Sequence, residues 1–465
     1  MSRSPQKEKS NNNEKFNTYL QILQNDVNLE VEKELEVRFG TKSENRITKI
    51  KFNNVMEKLK SLGFKCLNDS GEYHLNINNQ YFDKRSGKNR ISSIRTEISG
   101  LTAIKKYCVD NTISDKDGDL LPYFKIMDKK RVKIKKNSEE EENAHPIDYH
   151  DFGFRVNFKA ENYMTRNSSM VRKMIKDWGN TKKIFRYIKR FTFVRDDVPY
   201  KIDCSVVKGS HTKGKFIIPE FNIRDSEVFE SEEHYEIELE VIRNKVTSID
   251  TALAKKNIFT GIKYVLAGMQ ESNYPISNSE KQDILTDYIK LIYQSKEIPD
   301  KKKHKKLKDK AYVSSSDFVG PSSISLEMHH IVPVKHDEVD TINIRENYVV
   351  TDKADGIRKL LYIAPNGKIY FIDLNMNVQF TGTISKNSDV FNTIFDGEHI
   401  LNNKAGKFIN LFLIFDVYYV NNKDYRSFPF IKKENLVYYD GKMDKTIFRY
   451  NVMNQTLMKI KYESI

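Results

Sequence analysis

Two groups of residues in this 465-residue chain are of types and spacings that could do chemistry. One is Lys353-Ala354-Asp355-Gly356-Ile357-Arg358, entered through Tyr348-Val349-Val350 and left through Leu360-Leu361-Tyr362. A lysine amine attacks phosphorus only when deprotonated, so a covalent lysine needs a guanidinium or metal ion nearby to lower its pKa. Asp355 and Arg358 supply a polar setting, and Gly356 lets the backbone come close to a ligand. The other group is a pair of segments, Glu34-Leu35-Glu36-Val37-Arg38-Phe39 and Glu236-Ile237-Glu238-Leu239-Glu240-Val241. In a strand, Glu34, Glu36 and Arg38 project one way and the apolar residues the other; Glu236, Glu238 and Glu240 do the same. A row of like charges on one face is costly unless a cation or basic groups answer it. Glu34, Glu36, Glu238 and Glu240 converging on one point would make an all-oxygen site for Mg²⁺ or Mn²⁺.

The elements that position these groups follow from hydrophobic period. Residues 15–26 and 49–62 read as amphipathic helices. The stretch from Glu30 to Val246 is otherwise strand-like, with alternating segments at 91–98, 154–161, 185–194 and 200–207. Their basic residues, Arg95, Arg155, Lys159, Arg186 and Arg190, are placed to bind phosphates. A solvent-facing sheet explains either glutamate strand alone; two of them with basic strands between are better explained by a polar barrel interior. Such a device binds and hydrolyses a triphosphate end. Two helices follow, one carrying Ile258, Ile262, Val265, Leu266 and Met269, the next Ile284, Leu285, Tyr288, Ile289 and Ile292. The tract Lys129 to Glu142 reads as a hairpin leading into a loop, and Lys301–Lys308 with Ser314-Ser315-Ser316 as a linker. These marks predict a polar tail over 1–13, a barrel domain over 14–295, a linker over 296–325 and a last domain over 326–465.

A formal net charge of +14 and a pI near 9.2 favour RNA, DNA or nucleoside triphosphates as partners. Cys66, Cys108 and Cys204 are too few and too scattered for a disulfide framework or a zinc site, which fits a reducing compartment. No apolar run reaches the ~20 residues of a membrane-spanning helix, and the polar N-terminus has no secretory h-region. A soluble, cytoplasmic protein with no membrane partner is expected.

The six residues Lys353 to Arg358 resemble the KxDGxR motif of covalent nucleotidyltransferases: DNA ligases, RNA ligases and mRNA guanylyltransferases. The glutamate strands resemble those of tunnel-type, metal-dependent RNA triphosphatases. That likeness makes Glu34, Glu36, Glu238 and Glu240 the metal ligands and Arg95, Lys129, Glu161, Arg190 and Asp203 tunnel residues. Lys189 and Arg190 face opposite ways, and Arg190 shares its face with Arg186 and Thr192. Phe395-Asp396-Gly397-Glu398 resembles a DGE motif whose glutamate, Glu398, holds ribose or metal, and Phe412 to Val417 the next motif, with Asp416 near the phosphates. The order of the two modules is similar to mRNA capping enzymes of large DNA viruses, of the mimivirus type, over residues 30 to 425. The resemblance implies an α+β chain: an antiparallel β-barrel triphosphate tunnel, then a partial, ATP-grasp-like nucleotidyltransferase domain. It implies removal of the RNA 5′ γ-phosphate with Mg²⁺ or Mn²⁺, then GMP transfer from GTP through Lys353. It also implies a cap methyltransferase and RNA polymerase as partners, in the cytoplasm, a viral factory or a virion. Glu434 to Tyr438 and Lys459-Ile460-Lys461 echo the remaining motifs weakly, so a truncated or reduced module is expected. A ligase, or a triphosphatase whose transferase fold is vestigial, remains the alternative.

Overall fold

The computed structural model describes residues 5–26, 31–41, 46–135, 141–293, 313–320, 324–333, 343–345, 348–432 and 446–464. The segments Lys301–Lys308 and Glu434–Tyr438, singled out in the sequence, lie outside these. The chain divides into two compact units, Met1–Glu271 and Ser272–Ile465.

In the first unit eight antiparallel strands close on themselves. They are β1 (Glu32–Phe39), β2 (Glu72–Asp83), β3 (Lys88–Ser99), β4 (Phe124–Arg131), β5 (Phe154–Tyr163), β6 (Lys183–Val194), β7 (Tyr200–Gly209) and β8 (His234–Val241). The order round the barrel is β1-β8-β7-β6-β2-β3-β4-β5, and β5 pairs back onto β1, which removes both free edges. The barrel is built inside out. Its polar alternate residues face inward, and its apolar alternates face outward against helices. Leu35, Val37, Ile237 and Leu239 pack with Phe16, Tyr19 and Leu20 of helix α1 (Pro5–Gln24), with Phe52, Val55 and Leu59 of α2 (Lys49–Ser61), and with residues of a long helix, Thr251–Gln270. On another side Leu75, Ile77, Ile98 and Ile126 pack with Ile104 and Tyr107 of α3 (Leu101–Asp110) and Val171 of α4 (Ser169–Asp177). The helix Thr251–Gln270, α5, is capped by Asp250, whose carboxylate accepts from the Leu253 N–H at 3.0 Å. It approaches α2 so closely that a Cβ on Gly268 would stand 2.7 Å from the Val55 Cα.

Two differences from the sequence expectation have local causes. Helix α1 starts at Pro5, inside the stretch expected to be a disordered tail, and Asn12 donates to the Asp148 carbonyl at 3.1 Å. The region read as all strand contains α3 and α4, each too short for its apolar period to stand out. The expected hairpin within 129–142 is present as Lys133–Lys135 paired with Glu141–Asn143.

The second unit is a seven-stranded antiparallel sheet formed by β9 (Ile357–Ile363), β10 (Lys368–Ile372), β11 (Val378–Ser385), β12 (Thr393–Asn402), β13 (Phe408–Val420), β14 (Lys423–Asp424) and β15 (Tyr462–Ser464). Its order is β14-β13-β12-β9-β10-β11-β15. One face carries Leu360, Tyr362, Tyr370 and Ile372 against Ile284, Leu285 and Tyr288 of α6 (Asn278–Tyr293). The other carries Ile363, Ile369, Phe395 and Val417 against Met453 of α7 (Arg449–Lys459). The apolar period of α6 therefore serves this sheet, and the helix belongs with the second unit and not at the end of the barrel domain.

Candidate active site

Inside the barrel lies a cavity of about 750 Å³ lined mostly by charged side chains. Glu34, Glu36, Glu238 and Glu240 all face it, as do Arg95, Lys129, Glu161, Arg186, Arg190 and Asp203. Register explains the crowding of carboxylates. Strands β1 and β8 pair with Glu36 opposite Glu240 and Arg38 opposite Glu238, so two rows of inward glutamates lie side by side.

Each glutamate is answered by a cation. Lys129 bonds Glu34 and also reaches Glu161 at 2.7 Å. Lys159 bonds Glu36, which also accepts from Asn157 Nδ2 at 3.0 Å. Arg38 Nε stands 2.7 Å from Glu238, and Lys201 Nζ 3.0 Å from Glu240. Burial, with repulsion from Glu36, Glu240 and Glu161, pushes the Glu34 carboxyl up despite Lys129. Glu238 and Glu240 are likewise raised, chiefly by burial. Glu36 is the exception: burial works to raise it, but Lys129 and Lys159 together hold it below the ordinary range.

Among the described residues, no three carboxylate, imidazole or thiol groups close on a common point. The donor set nonetheless suits a hard divalent ion. It is all oxygen, it draws on two adjacent strands, and carboxyls raised by burial, with repulsion from their acidic neighbours adding to it, are groups whose charge a dication would stabilise.

The basic residues divide. Arg190 faces the cavity, with Nη1 3.9 Å from Asp203, which is buried and accepts from the Thr192 hydroxyl at 2.6 Å. Lys189, its neighbour, points away and lies over the rings of Tyr73 and Phe191. Arg186 bonds Glu236. Arg155 does not line the cavity: although it shares the inward face of β5, it sits at the strand's start, where Asp148 takes its Nε at 2.7 Å and its Nη2 at 3.0 Å. Lys201, Glu97 and His74 line the cavity and were missed. Lys201 and Glu97 stand two residues from Asp203 and Arg95, so strand alternation was the signal that could have found them.

The Lys353 segment is differently built. Lys353 and Asp355 bond each other with side chains 84% exposed. Hydrogen bonding to Asp355 raises the lysine pKa, the reverse of the shift a nucleophile needs. Gly356 is tight against protein and not open to a ligand: its Cβ would stand 2.6 Å from the His399 carbonyl oxygen, and its N–H donates to Glu398 at 3.2 Å. Arg358 forms a two-pronged pair with Asp396, Nε at 3.1 Å and Nη2 at 2.5 Å, and Tyr418 donates to the same carboxylate at 2.5 Å. Asp396 is wholly buried, and it was not singled out as a site residue. Asp416 is held by Arg449 of α7, Nε at 2.9 Å and Nη2 at 3.0 Å, so it serves packing of that helix. Glu398 and Arg358 are opposite each other in register, and Asp416 stands opposite Asp396, the partner of Arg358.

Residues 286–461 match the family model described as mRNA capping enzyme, catalytic domain, a span close to the second unit. The match supports a role in mRNA capping in general terms. No curated protein matches the chain in sequence. Among solved structures the chain is similar to the S. pombe Pct1 RNA triphosphatase, at 13% identity over 58% of this chain and 94% of that one, with a TM-score of 0.30. It is similar to the same protein in complex with the Spt5 CTD, at 13% identity over 57% and 94%, with a TM-score of 0.28. At those TM-scores the likeness carries no argument about this chain.

Proposed function

We propose that the barrel removes the γ-phosphate from the 5′-triphosphate end of RNA, and that the second unit takes GMP from GTP on Lys353 and passes it to the resulting diphosphate end. The observation that carries the first half is the closed barrel whose interior is mostly charged, with two adjacent glutamate rows and a surround of Arg and Lys. In this reading Glu34, Glu36, Glu238 and Glu240 would hold Mg²⁺ or Mn²⁺, which supplies charge neutralisation and Lewis acidity at the phosphate. Arg95, Arg186 and Arg190 bind the phosphate oxygens and stabilise the charge that spreads over them as water attacks in line. Asp203 fixes Arg190 from behind. Enclosure by the barrel strengthens these interactions and excludes larger competitors of the chain end.

In the second unit the Lys353 amine would form a bond to the α-phosphorus of GTP, the bond from that phosphorus to the bridging oxygen would break, and pyrophosphate would leave. GMP then passes to the terminal phosphate oxygen of the RNA and the amine is released. Asp355 is the group beside it, and Arg358 would help to position the phosphates. A cap methyltransferase would act next on the product.

A second reading is favoured by one observation: Lys353 is exposed and paired with Asp355 in a way that raises its pKa. Under it the chain is a triphosphatase whose transferase unit does not turn over. Incubation with GTP labelled at the α-phosphate separates the two. A labelled adduct lost in Lys353→Ala supports the two-step reading, whereas phosphate release from triphosphate-ended RNA with no adduct supports the second. An adduct formed from labelled ATP and not from GTP contradicts both in favour of a ligase.

A further inference from the structure

The glutamate rows of the cavity are answered by internal cations, but the wall formed by β2, β3 and β6 is not satisfied. There the Nε of Arg95, the Nε of Arg190, the Nε2 of His74 and the Oδ1 of Asn76 are buried with no hydrogen-bond partner. A buried donor left unpaired is costly, and a guanidinium N–H can only donate. Both arginines line the cavity, and guanidinium groups whose donors are not all taken up by protein acceptors suit an anion.

Glu97 stands among them. Its Oε2 is 3.6 Å from Arg95 Nη2 and its Oε1 is 3.5 Å from His74 Nδ1. His74 is fixed in turn: Ser99, its Cα partner across β3, places Oγ 3.2 Å from Nδ1, and Glu72 lies 3.8 Å from Nε2. Burial alone would raise the Glu97 carboxyl, but His74, Arg95 and Arg190 outweigh it and hold the group ionised, well below the usual carboxylate range.

We propose that Glu97, braced by His74, is a positioning residue that aims Arg95 and Arg190 at the phosphate chain of the substrate. The inference rests on the triphosphatase reading of the barrel. A carboxylate in a phosphate site has two possible effects of opposite sign. As a bare charge it repels the anion, and its removal tightens binding. As a brace it holds guanidinium groups in a geometry that a flexible side chain otherwise leaves, and its removal weakens binding.

The test is calorimetric titration of the full chain with tripolyphosphate in metal-free buffer, and separately with Mn²⁺. Glu97→Gln, which keeps shape and loses charge, is expected to weaken tripolyphosphate binding about tenfold, the loss of the charged partner of the Arg95 guanidinium. His74→Asn is expected to weaken it about threefold, as for a neutral hydrogen bond. Mn²⁺ affinity is unchanged in both, because the glutamates of β1 and β8 are untouched, and Glu97→Asp recovers part of the phosphate affinity. Unchanged or tighter tripolyphosphate binding by Glu97→Gln overturns the inference, as does a parallel loss of Mn²⁺ binding, which marks general damage to the barrel. Wild-type protein that binds no tripolyphosphate overturns the triphosphatase reading itself.

Discussion

The barrel interior and the Lys353 segment both pair lysine with carboxylate, in opposite surroundings. In the barrel, Lys129 is enclosed among Glu34, Glu36 and Glu161, and its pKa is raised despite burial. At Lys353 one carboxylate, Asp355, raises the pKa of an exposed amine. The same direction of shift suits one task and defeats the other. A lysine that answers carboxylates or clamps phosphate works best charged; a lysine that attacks phosphorus must lose its proton. The barrel is thus arranged for electrostatic work as it stands, while the Lys353 segment must exchange Asp355 for another neighbour before it can act as a nucleophile. Solvent exposure makes that exchange cheap, since an open ion pair contributes little.

The comparison can be broken at several points. The largest effect is expected at Lys353→Ala, which should abolish any GMP adduct while leaving phosphate release from triphosphate-ended RNA intact; loss of both activities would mean that the two regions do not work separately. Next, Arg190→Ala should lower kcat/KM for phosphate release about a hundredfold, the usual cost of one donor aimed at transition-state charge. A drop of twofold or less would remove that arginine from the phosphate site.

Stability sharpens the contrast further. Asp396→Ala leaves Arg358 and Tyr418 without their buried acceptor and should destabilise the second unit by about 3 kcal/mol, read from urea denaturation. Smaller again is an acid effect in the barrel. The folded pKa of Glu97 is depressed below its unfolded value of 4.5, so its contribution is present above about pH 4.5 and is lost as pH falls toward the folded value. On the order of 1 to 3 kcal/mol is at stake. Glu97→Gln should therefore flatten the fall in melting temperature between about pH 4.5 and pH 2.5. A variant with the same acid limb as wild type would show that the barrel does not hold the Glu97 carboxyl below its unfolded value.

Much of the barrel was legible in the sequence because strand alternation is a strict period: Glu34 and Glu36, or Glu238 and Glu240, cannot face opposite ways in one strand. Alternation also picked Arg190 over Lys189. What it could not supply was position along the axis, so Arg155 was placed with its face-mates although Asp148 holds it at the strand's start. Lys201 and Glu97 share their faces with Asp203 and Arg95, whereas His74 needed register as well as face, and register is set by which strands become neighbours on closure. In the second unit the motif residues were legible as a string but not as a site. Asp416 fitted a pattern, yet its carboxylate is committed to Arg449, thirty-three positions later, and the residue that holds Arg358 is Asp396, read only as part of the DGE-like motif. Helix α6 had a clear apolar period, but a period does not say which sheet a helix covers.

The central claim is that the glutamate rows make the barrel a metal-dependent triphosphatase. It is tested most directly by measuring release of labelled γ-phosphate from 5′-triphosphate RNA, with and without Mg²⁺ or Mn²⁺, for wild type and Glu36→Ala. The account predicts release by wild type only when the divalent ion is present, and a fall of at least about a thousandfold in Glu36→Ala, on the scale of the several kcal/mol a catalytic metal supplies. Release that persists without metal, or in Glu36→Ala, would contradict it.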